Sequence, residues 1–126
     1  MPCHVSKKEF EKLVEEAISE VPEPFAAFLD EVPVEIHTRP SAKLLRELGL
    51  ENDELLMGLY RGHALTHRSV EDSARLPDVI YIFQEDHELV CDHRSQLVQE
   101  VRKTVLHEIG HHFGMSEEDL ERLGYG

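Results

Sequence analysis

The sequence has no tryptophan, only two cysteines and no surplus of positive charge. Its formal net charge is -13, so we expect nucleic acid and anionic membrane surfaces to be repelled, and neither is an expected partner. No apolar run approaches the length of a transmembrane helix, and the opening MPCHVSKKEF lacks the apolar stretch of a secretory signal. We therefore expect a cytoplasmic protein without a membrane partner.

The two cysteines, Cys3 and Cys91, are too few for a disulfide framework and do not form a CxxC pair. We expect both to be reduced thiols. Without a CxxC pair, a four-thiolate zinc site is excluded. The chain of 126 residues suffices for one domain, and its 40% of hydrophobic residues permits a packed core. We expect a single domain over residues 1–126, acting as a monomer.

Hydrophobic periodicity and cap signals predict alternating helices and short strands. Helices are predicted from the N-cap Ser6 to about residue 21, over 24–31, 41–49 and 95–113, and from Ser116 onward, with a single helical turn at 86–91. Strands are predicted over 32–37, 55–60 and 79–83. The polar, irregular segment 62–78 is predicted to be a long loop. This order of elements indicates an α+β domain with a sheet of three or four strands.

The segment LHEIGHHFG contains the pattern HExxH, from His107 to His111. Two histidines four residues apart lie on one face of a helix, so their imidazoles can bind one ion, and imidazole suits zinc. Glu108 lies on the adjacent face, where its carboxylate can take a proton from water at the metal. The residues therefore predict two histidine ligands for one metal ion, with a general base beside them.

Nine histidines in the chain make a chance match plausible, so the surroundings of the motif matter. Apolar residues mark the side of the helix opposite the histidine pair: Leu97, Val98, Val101, Val105 and Ile109. Gly110 costs about 1 kcal/mol inside a helix, which indicates close packing of a neighbouring strand. Gly114 can adopt a left-handed conformation and end the helix, turning the chain back toward the ion.

A catalytic zinc ion needs a third protein ligand and one open position. Glu117, just past the turn, is the first choice for this ligand, with Glu118 and Asp119 as alternatives. Another interpretation is purely structural, because Ser116 and Asp119 also fit a capping box at a helix start.

The pattern HExxHxxGxx followed by Asp or Glu resembles that of the minimal zincin family, small bacterial proteins classed as zinc metallopeptidases. The matching residues here are His107, Glu108, His111, Gly114 and Glu117. The run QEVRKTVLHEIGHHFGMSEEDLERLG and the preceding LPDVIYIFQ resemble the C-terminal part of that family. The resemblance implies a zincin-like fold, with a small mixed sheet packed beside an active-site helix. It also implies that His107 and His111 bind zinc and that Glu108 is the catalytic base, while Glu117 stands at the acidic position of the family pattern.

Zincins align their substrate along an edge strand, and VIYIF, residues 79–83, is the candidate for this strand, with segment 62–78 as a wall of the cleft. The expected function is hydrolysis of peptides or proteins by zinc-activated water. Tyr60, Tyr81 and His112 are candidates for a second electrophile. The alternatives are a catalytically inactive zincin-like module that binds metal or a protein partner, and an acidic interaction domain without metal.

Overall fold

The computed structural model describes residues 3–23, 25–61 and 78–122, apart from the side chains of His111, His112 and Glu117. The helices in this part are α1 (Lys7–Ser19), α2 (Phe25–Leu29), α3 (Ala42–Glu47), α4 (Gln84–Leu89), α5 (Arg94–His112) and α6 (Glu117–Arg122). The strands are β1 (Val34–His37), β2 (Gly58–Arg61) and β3 (Val79–Phe83). Of the predicted loop, residues 62–77 lie outside the described part. None of the described helices is long and apolar enough to cross a membrane.

The three strands form one mixed sheet in the order β1–β3–β2. Strand β1 pairs with β3 in parallel, and β2 pairs with β3 in the antiparallel sense. The sheet confirms the predicted α+β class, but the prediction that VIYIF is an edge strand is wrong. VIYIF is β3, the central strand, and four of its five residues are buried. Its pairing with β1 on one side and β2 on the other establishes the central position.

The two faces of the sheet have different neighbours. Ile80 and Ile82 point toward α1 and α5 and are fully buried in the core. Tyr81, between them in sequence, points to the opposite face because side chains alternate along a strand. The antiparallel register pairs Gly58 with Ile82 and Tyr60 with Ile80, so both β2 residues lie on the helix side.

Local hydrogen bonds explain where several elements begin. The hydroxyl of Ser6 accepts from the N–H of Glu9 at 3.1 Å, which confirms the predicted cap of α1. Strand β2 begins at Gly58, although the apolar run had predicted a strand from residue 55. The N–H of Leu56 donates to Asp86 Oδ2 at 2.8 Å, so this part of the run pairs with a side chain instead of a strand.

The first described residues pack against the end of α4 and the residues that follow it. The N–H of Cys3 donates to the carbonyl of Cys91 at 2.6 Å, and the N–H of Val5 donates to Glu88 Oε2 at 2.9 Å. Both cysteines are free. Burial raises the pKa of the Cys91 thiol to about 11, so this thiol stays protonated at neutral pH.

Candidate functional site

Helix α5 presents one apolar face to the core and the histidine motif to the other side. Its five predicted apolar residues are all buried: Leu97, Val98, Val101, Val105 and Ile109. His107 and Glu108 are half-buried. The helix therefore buries its apolar stripe while it leaves His107 and Glu108 partly accessible, as the spacing predicted.

Strand β2 approaches α5 closely because it carries a glycine at the point of contact. A Cβ atom at Gly58 would lie 2.5 Å from Thr104 Cγ2 and 3.0 Å from the carbonyl oxygen of Tyr81. Carbon atoms do not approach that closely without displacement, so only glycine allows this distance between strand and helix. Gly58 thus sets the position of β2 relative to the motif.

The close approach lets the backbone of β2 bind the motif glutamate. The N–H of Tyr60 donates to Glu108 Oε1 at 2.9 Å. Phe83 N–H donates to the carbonyl of Met57. In an antiparallel pair, backbone groups of every second residue point toward the neighbouring strand, so Met57, Leu59 and Arg61 are the residues that bond to β3. The alternation directs the backbone groups of Gly58 and Tyr60 away from β3, toward the outer edge of the sheet. Glu108 is therefore fixed at this edge.

A cleft of about 390 Å³ lies between α5 and the chain around the start of β2. One wall is apolar and comes from Leu55, Leu56, Met57 and Gly58. The other wall comes from α5 and is formed by Glu100, Lys103, Thr104, His107 and Glu108. The volume falls in the range of small-ligand sites, and the cleft joins an apolar surface to the two motif side chains.

Two buried polar residues of α4 hold the two walls of this cleft. Asp86, 1% exposed, accepts the hydrogen bond from the N–H of Leu56 on the apolar wall. The neighbouring His87, fully buried, bonds through Nε2 to the hydroxyl of Thr104 at 2.8 Å and through Nδ1 to the carbonyl of Phe83 at 2.9 Å. A carbonyl only accepts, so Nδ1 carries the proton, and the single hydroxyl proton of Thr104 is shared between Nε2 and the carbonyl of Glu100, 3.0 Å from the hydroxyl. Burial lowers the pKa of His87, which keeps the ring neutral.

The end of α5 turns back as Gly114 predicted. Gly114 has a φ of 79°, and the N–H of Met115 donates to the carbonyl of Gly110 at 2.9 Å, which is the bond of a Schellman motif. A Cβ atom at Gly110 would lie 2.5 Å from Leu120 Cδ2. The close neighbour of Gly110 is therefore α6, and the expected neighbouring strand is wrong.

Ser116 and Asp119 form the predicted capping box at the start of α6. Asp119 N–H donates to the Ser116 hydroxyl at 3.1 Å, and Ser116 N–H donates to Asp119 Oδ2 at 3.0 Å. The Ser116 backbone N–H, followed by its hydroxyl and Arg122, lowers the pKa of the Asp119 carboxyl. Because this carboxylate already caps the helix and contacts Arg122, Asp119 is not well placed as a metal ligand. Glu118 is exposed.

The predicted metal ligands fall partly outside the described side chains. His107 lines the cleft, whereas the side chains of His111 and Glu117 are not described. Helix α5 continues without a break to His112, so helical spacing brings His111 one turn beyond His107. Within the side chains that the structure describes, no three His, Cys, Asp or Glu residues could hold a metal. Two imidazoles and one carboxylate are nevertheless a donor set that suits zinc.

The three candidates for the second electrophile differ in their position relative to the cleft. Tyr81 lies on the sheet face away from α5, so it cannot serve the cleft. Tyr60 lies on the helix side, where its hydroxyl donates to Asp78 Oδ2 at 2.6 Å and its ring stacks on Phe28 with centroids 6.2 Å apart. The side chain of His112 is outside the described part.

Sequence reasoning missed four residues that shape the site: Gly58, Asp86, His87 and Thr104. A glycine within an apolar run was a signal of close backbone approach, and polar residues directly after a buried strand were a signal of buried hydrogen bonds. The partners across the fold had no signal in the sequence, because they depend on tertiary contacts.

Comparison with known proteins places this architecture in a family. A solved structure from Thermo thermophilus, described as a conserved hypothetical protein, is similar to this chain with a TM-score of 0.56 and 26% identity. The match covers 86% of this chain and 94% of that one. No curated protein matches the chain. The family model of zincin-like metallopeptidases matches residues 29–126, more than half of the sequence, and the chain therefore belongs to that family.

Proposed function

We propose that this protein is a zinc-dependent peptidase whose active site is the cleft between α5 and the outer edge of β2. The observation that carries the proposal is the hydrogen bond from Tyr60 N–H to Glu108 Oε1. It fixes the carboxylate of the HExxH motif at a strand edge, beside His107 and within an open cleft. We also propose that residues 1–126 act as one domain, since α1 contributes to the same core as α5.

Zinc would be held by His107, His111 and Glu117. Glu117 is favoured over Asp119 because the Asp119 carboxylate is engaged in the cap of α6. Glu118 remains the alternative. The close contact of Gly110 with Leu120 holds α6 against the end of α5, which supports a ligand from the start of α6. When bound, zinc would supply Lewis-acid activation of water and of the scissile carbonyl.

Glu108 would move the proton of the reaction. Its carboxylate takes a proton from the attacking water and returns it to the nitrogen of the leaving amine, so that one water molecule is added across the C–N bond. The hydrogen bond from Tyr60 N–H fixes the orientation of this carboxylate. His87 and Thr104 keep α5 in register with the strand edge.

The substrate would lie along the cleft as an extended peptide. Backbone groups of Gly58 point away from β3, so they face a chain placed at the outer edge of β2, and main-chain pairing at such an edge provides affinity. Leu55, Leu56 and Met57 line the cleft with apolar surface. Together with the net charge of -13, this lining favours peptides with large apolar residues over acidic ones. A cytoplasmic location fits the two free cysteines.

The experiment compares wild type, Glu108→Gln and Glu100→Gln, each loaded with zinc, on a broad peptide library read by mass spectrometry. Glu100 lines the same cleft, but its carboxylate contacts Lys103 at 3.8 Å and has no role in the proposed reaction. We expect Glu108→Gln to bind zinc as wild type does and to cleave at least about a hundredfold more slowly. We expect Glu100→Gln to retain most of the activity.

Equal cleavage by wild type and Glu108→Gln would contradict the proposal. A wild-type protein that binds one equivalent of zinc and cleaves nothing would favour the second candidate, an inactive metal-binding module. The observation behind that candidate is the cleft volume of about 390 Å³, which is near the lower end for small-ligand sites.

A further inference from the structure

A second cavity, of about 400 Å³, lies on the sheet face that points away from α5. Its floor is aromatic and comes from the central and edge strands, with Tyr81 and Phe83 of β3 beside His37 of β1. Its rim is formed by Arg61 at the end of β2 and by the chain that enters α3. This far-face pocket has no part in the proposed peptidase, because the whole sheet separates it from the motif helix.

The rim of the far-face pocket is cationic in a chain that is strongly acidic. Arg39, Lys43 and Arg61 line it together with a single carboxylate, Glu47. Arg61 contacts Glu47 at 3.3 Å. Among the described residues, the side chains of Arg39 and Lys43 have no ion-pair partner. The lining therefore holds two cations more than carboxylates, with Glu35 beside it against His37 at 3.2 Å, although acidic residues outnumber basic ones two to one in the sequence.

The floor offers aromatic surface beneath these charges. The rings of His37 and Tyr81 meet edge to face with centroids 5.1 Å apart, and Phe83 lies behind them, 6.2 Å from His37 and 6.4 Å from Tyr81. Phe83 is 2% exposed, whereas Tyr81 and His37 retain accessible surface. A planar ring stacks favourably on such a surface, while an aliphatic chain gains only from burial.

We propose that the far-face pocket binds a small organic phosphate that carries a planar ring, the chemistry of a nucleoside monophosphate. A phosphate monoester has a charge of about -1.5 to -2 at pH 7, which matches the two unpaired cations better than a single carboxylate does. Arginine binds phosphate oxygens through two parallel hydrogen bonds, and Arg39 is available for this. The ring then occupies the aromatic floor, and the cavity volume lies in the range of small-molecule sites.

The test is a titration of the full-length protein with AMP, followed by two-dimensional NMR of the backbone amides. Adenosine and inorganic phosphate serve as the two halves of the ligand. We expect AMP to shift amides of residues 37–43, 61 and 81–83, and to bind at least about tenfold more tightly than either half. Raising the salt concentration should weaken binding of AMP because the cations are exposed.

Two double variants distinguish an effect of the pocket on AMP binding from an effect of the net charge. Arg39→Glu with Lys43→Glu should abolish AMP binding, whereas Lys7→Glu with Lys8→Glu at the exposed start of α1 changes the net charge equally and should preserve it. Tyr81→Leu should weaken AMP binding and leave phosphate binding unchanged. Thermal unfolding of each variant confirms that it is folded.

Three results would overturn the proposal. One is the absence of localised shifts at about 10 mM AMP, well above the range expected of a specific site. Another is equal AMP binding by the two double variants. The last is tighter binding of a short acidic peptide than of AMP at the same amides, which would assign the pocket to peptide recognition. None of these results bears on the Glu108→Gln experiment, so the two proposals fail separately.

Discussion

The N–H of Tyr60 on β2 donates to the Oε1 atom of Glu108 on α5 at 2.9 Å. This bond joins the edge of the sheet to the glutamate of the HExxH motif, two elements 48 residues apart in sequence. The bond can form because Gly58 lets the strand approach Thr104, and because a hydrogen bond with His87 fixes the position of Thr104. The distance between strand and helix is therefore the feature on which the proposed active site depends.

Gly58→Ala should disturb that distance. The added Cβ would meet Thr104 Cγ2 at 2.5 Å and the Tyr81 carbonyl at 3.0 Å, so the strand or the helix must shift. We expect a loss of about 1–3 kcal/mol in the free energy of unfolding, measured by chemical denaturation, because the contact is overpacked. Zinc-dependent peptide cleavage should fall as well, since Tyr60 N–H moves away from Glu108.

Thr104→Ser provides the matched test of this explanation. It removes the methyl group that clashes and keeps the hydroxyl that bonds His87. Combined with Gly58→Ala, it should restore part of the lost stability. The explanation is wrong if Gly58→Ala is as stable as wild type, or if Thr104→Ser gives no recovery in the double variant.

The third zinc ligand can be tested by single substitutions at the start of α6. Glu117→Ala should lower zinc affinity at least about tenfold, because even groups that only orient a ligand contribute tenfold to a hundredfold. Glu118→Ala, at the adjacent exposed position, is the control and should change the affinity little. Competition with a chromophoric chelator measures both constants. A larger loss of zinc affinity in Glu118→Ala would identify Glu118 as the third ligand.

His87 should make the stability depend on pH near neutrality. Burial holds its pKa in the folded protein below the ordinary value of 6.5, so the unfolded chain binds more protons between the two values. Stability is then fully present above about pH 6.5 and falls as the pH drops toward the folded-state pKa. The slope is at most about 1.4 kcal/mol per pH unit for one group. Urea denaturation at several pH values between about 5 and 8 measures it.

His87→Gln removes this titration and should flatten the profile above about pH 5, although the variant is less stable throughout because its buried hydrogen bonds change. His93→Gln, at an exposed position, should leave the wild-type slope intact. If wild type and His87→Gln lose the same stability between neutral and mildly acidic pH, buried His87 is not the source of the dependence.

The sequence predicted those parts of the fold that local patterns determine. The capping serine Ser6, the apolar stripe of α5 and the glycine turn at Gly114 are each decided within a few residues, and the structure confirms all three. The accessible face of His107 follows from the same stripe. The resemblance to the minimal zincin family was visible in the HExxH motif and its flanking residues, and the family match over residues 29–126 confirms it.

What the sequence could not supply is the arrangement of elements around the motif. The apolar run VIYIF marks a strand but not its place in the sheet, and it proved central instead of at the edge. Gly110 indicated close packing without naming the partner, which is Leu120 of α6. The burial of Asp86 and His87 had no local signal, because their bonding partners, Leu56 and Thr104, are distant in sequence.

The most direct measurement of the central claim is a crystal structure of the zinc-loaded protein. We predict one zinc ion bound by His107, His111 and Glu117, with a fourth position that faces Glu108 and is filled by water. Tyr60 N–H should remain bonded to the Glu108 carboxylate. A zinc ion with four protein ligands, or one bound away from His107, would contradict the account and leave the cleft between α5 and β2 without its proposed chemistry.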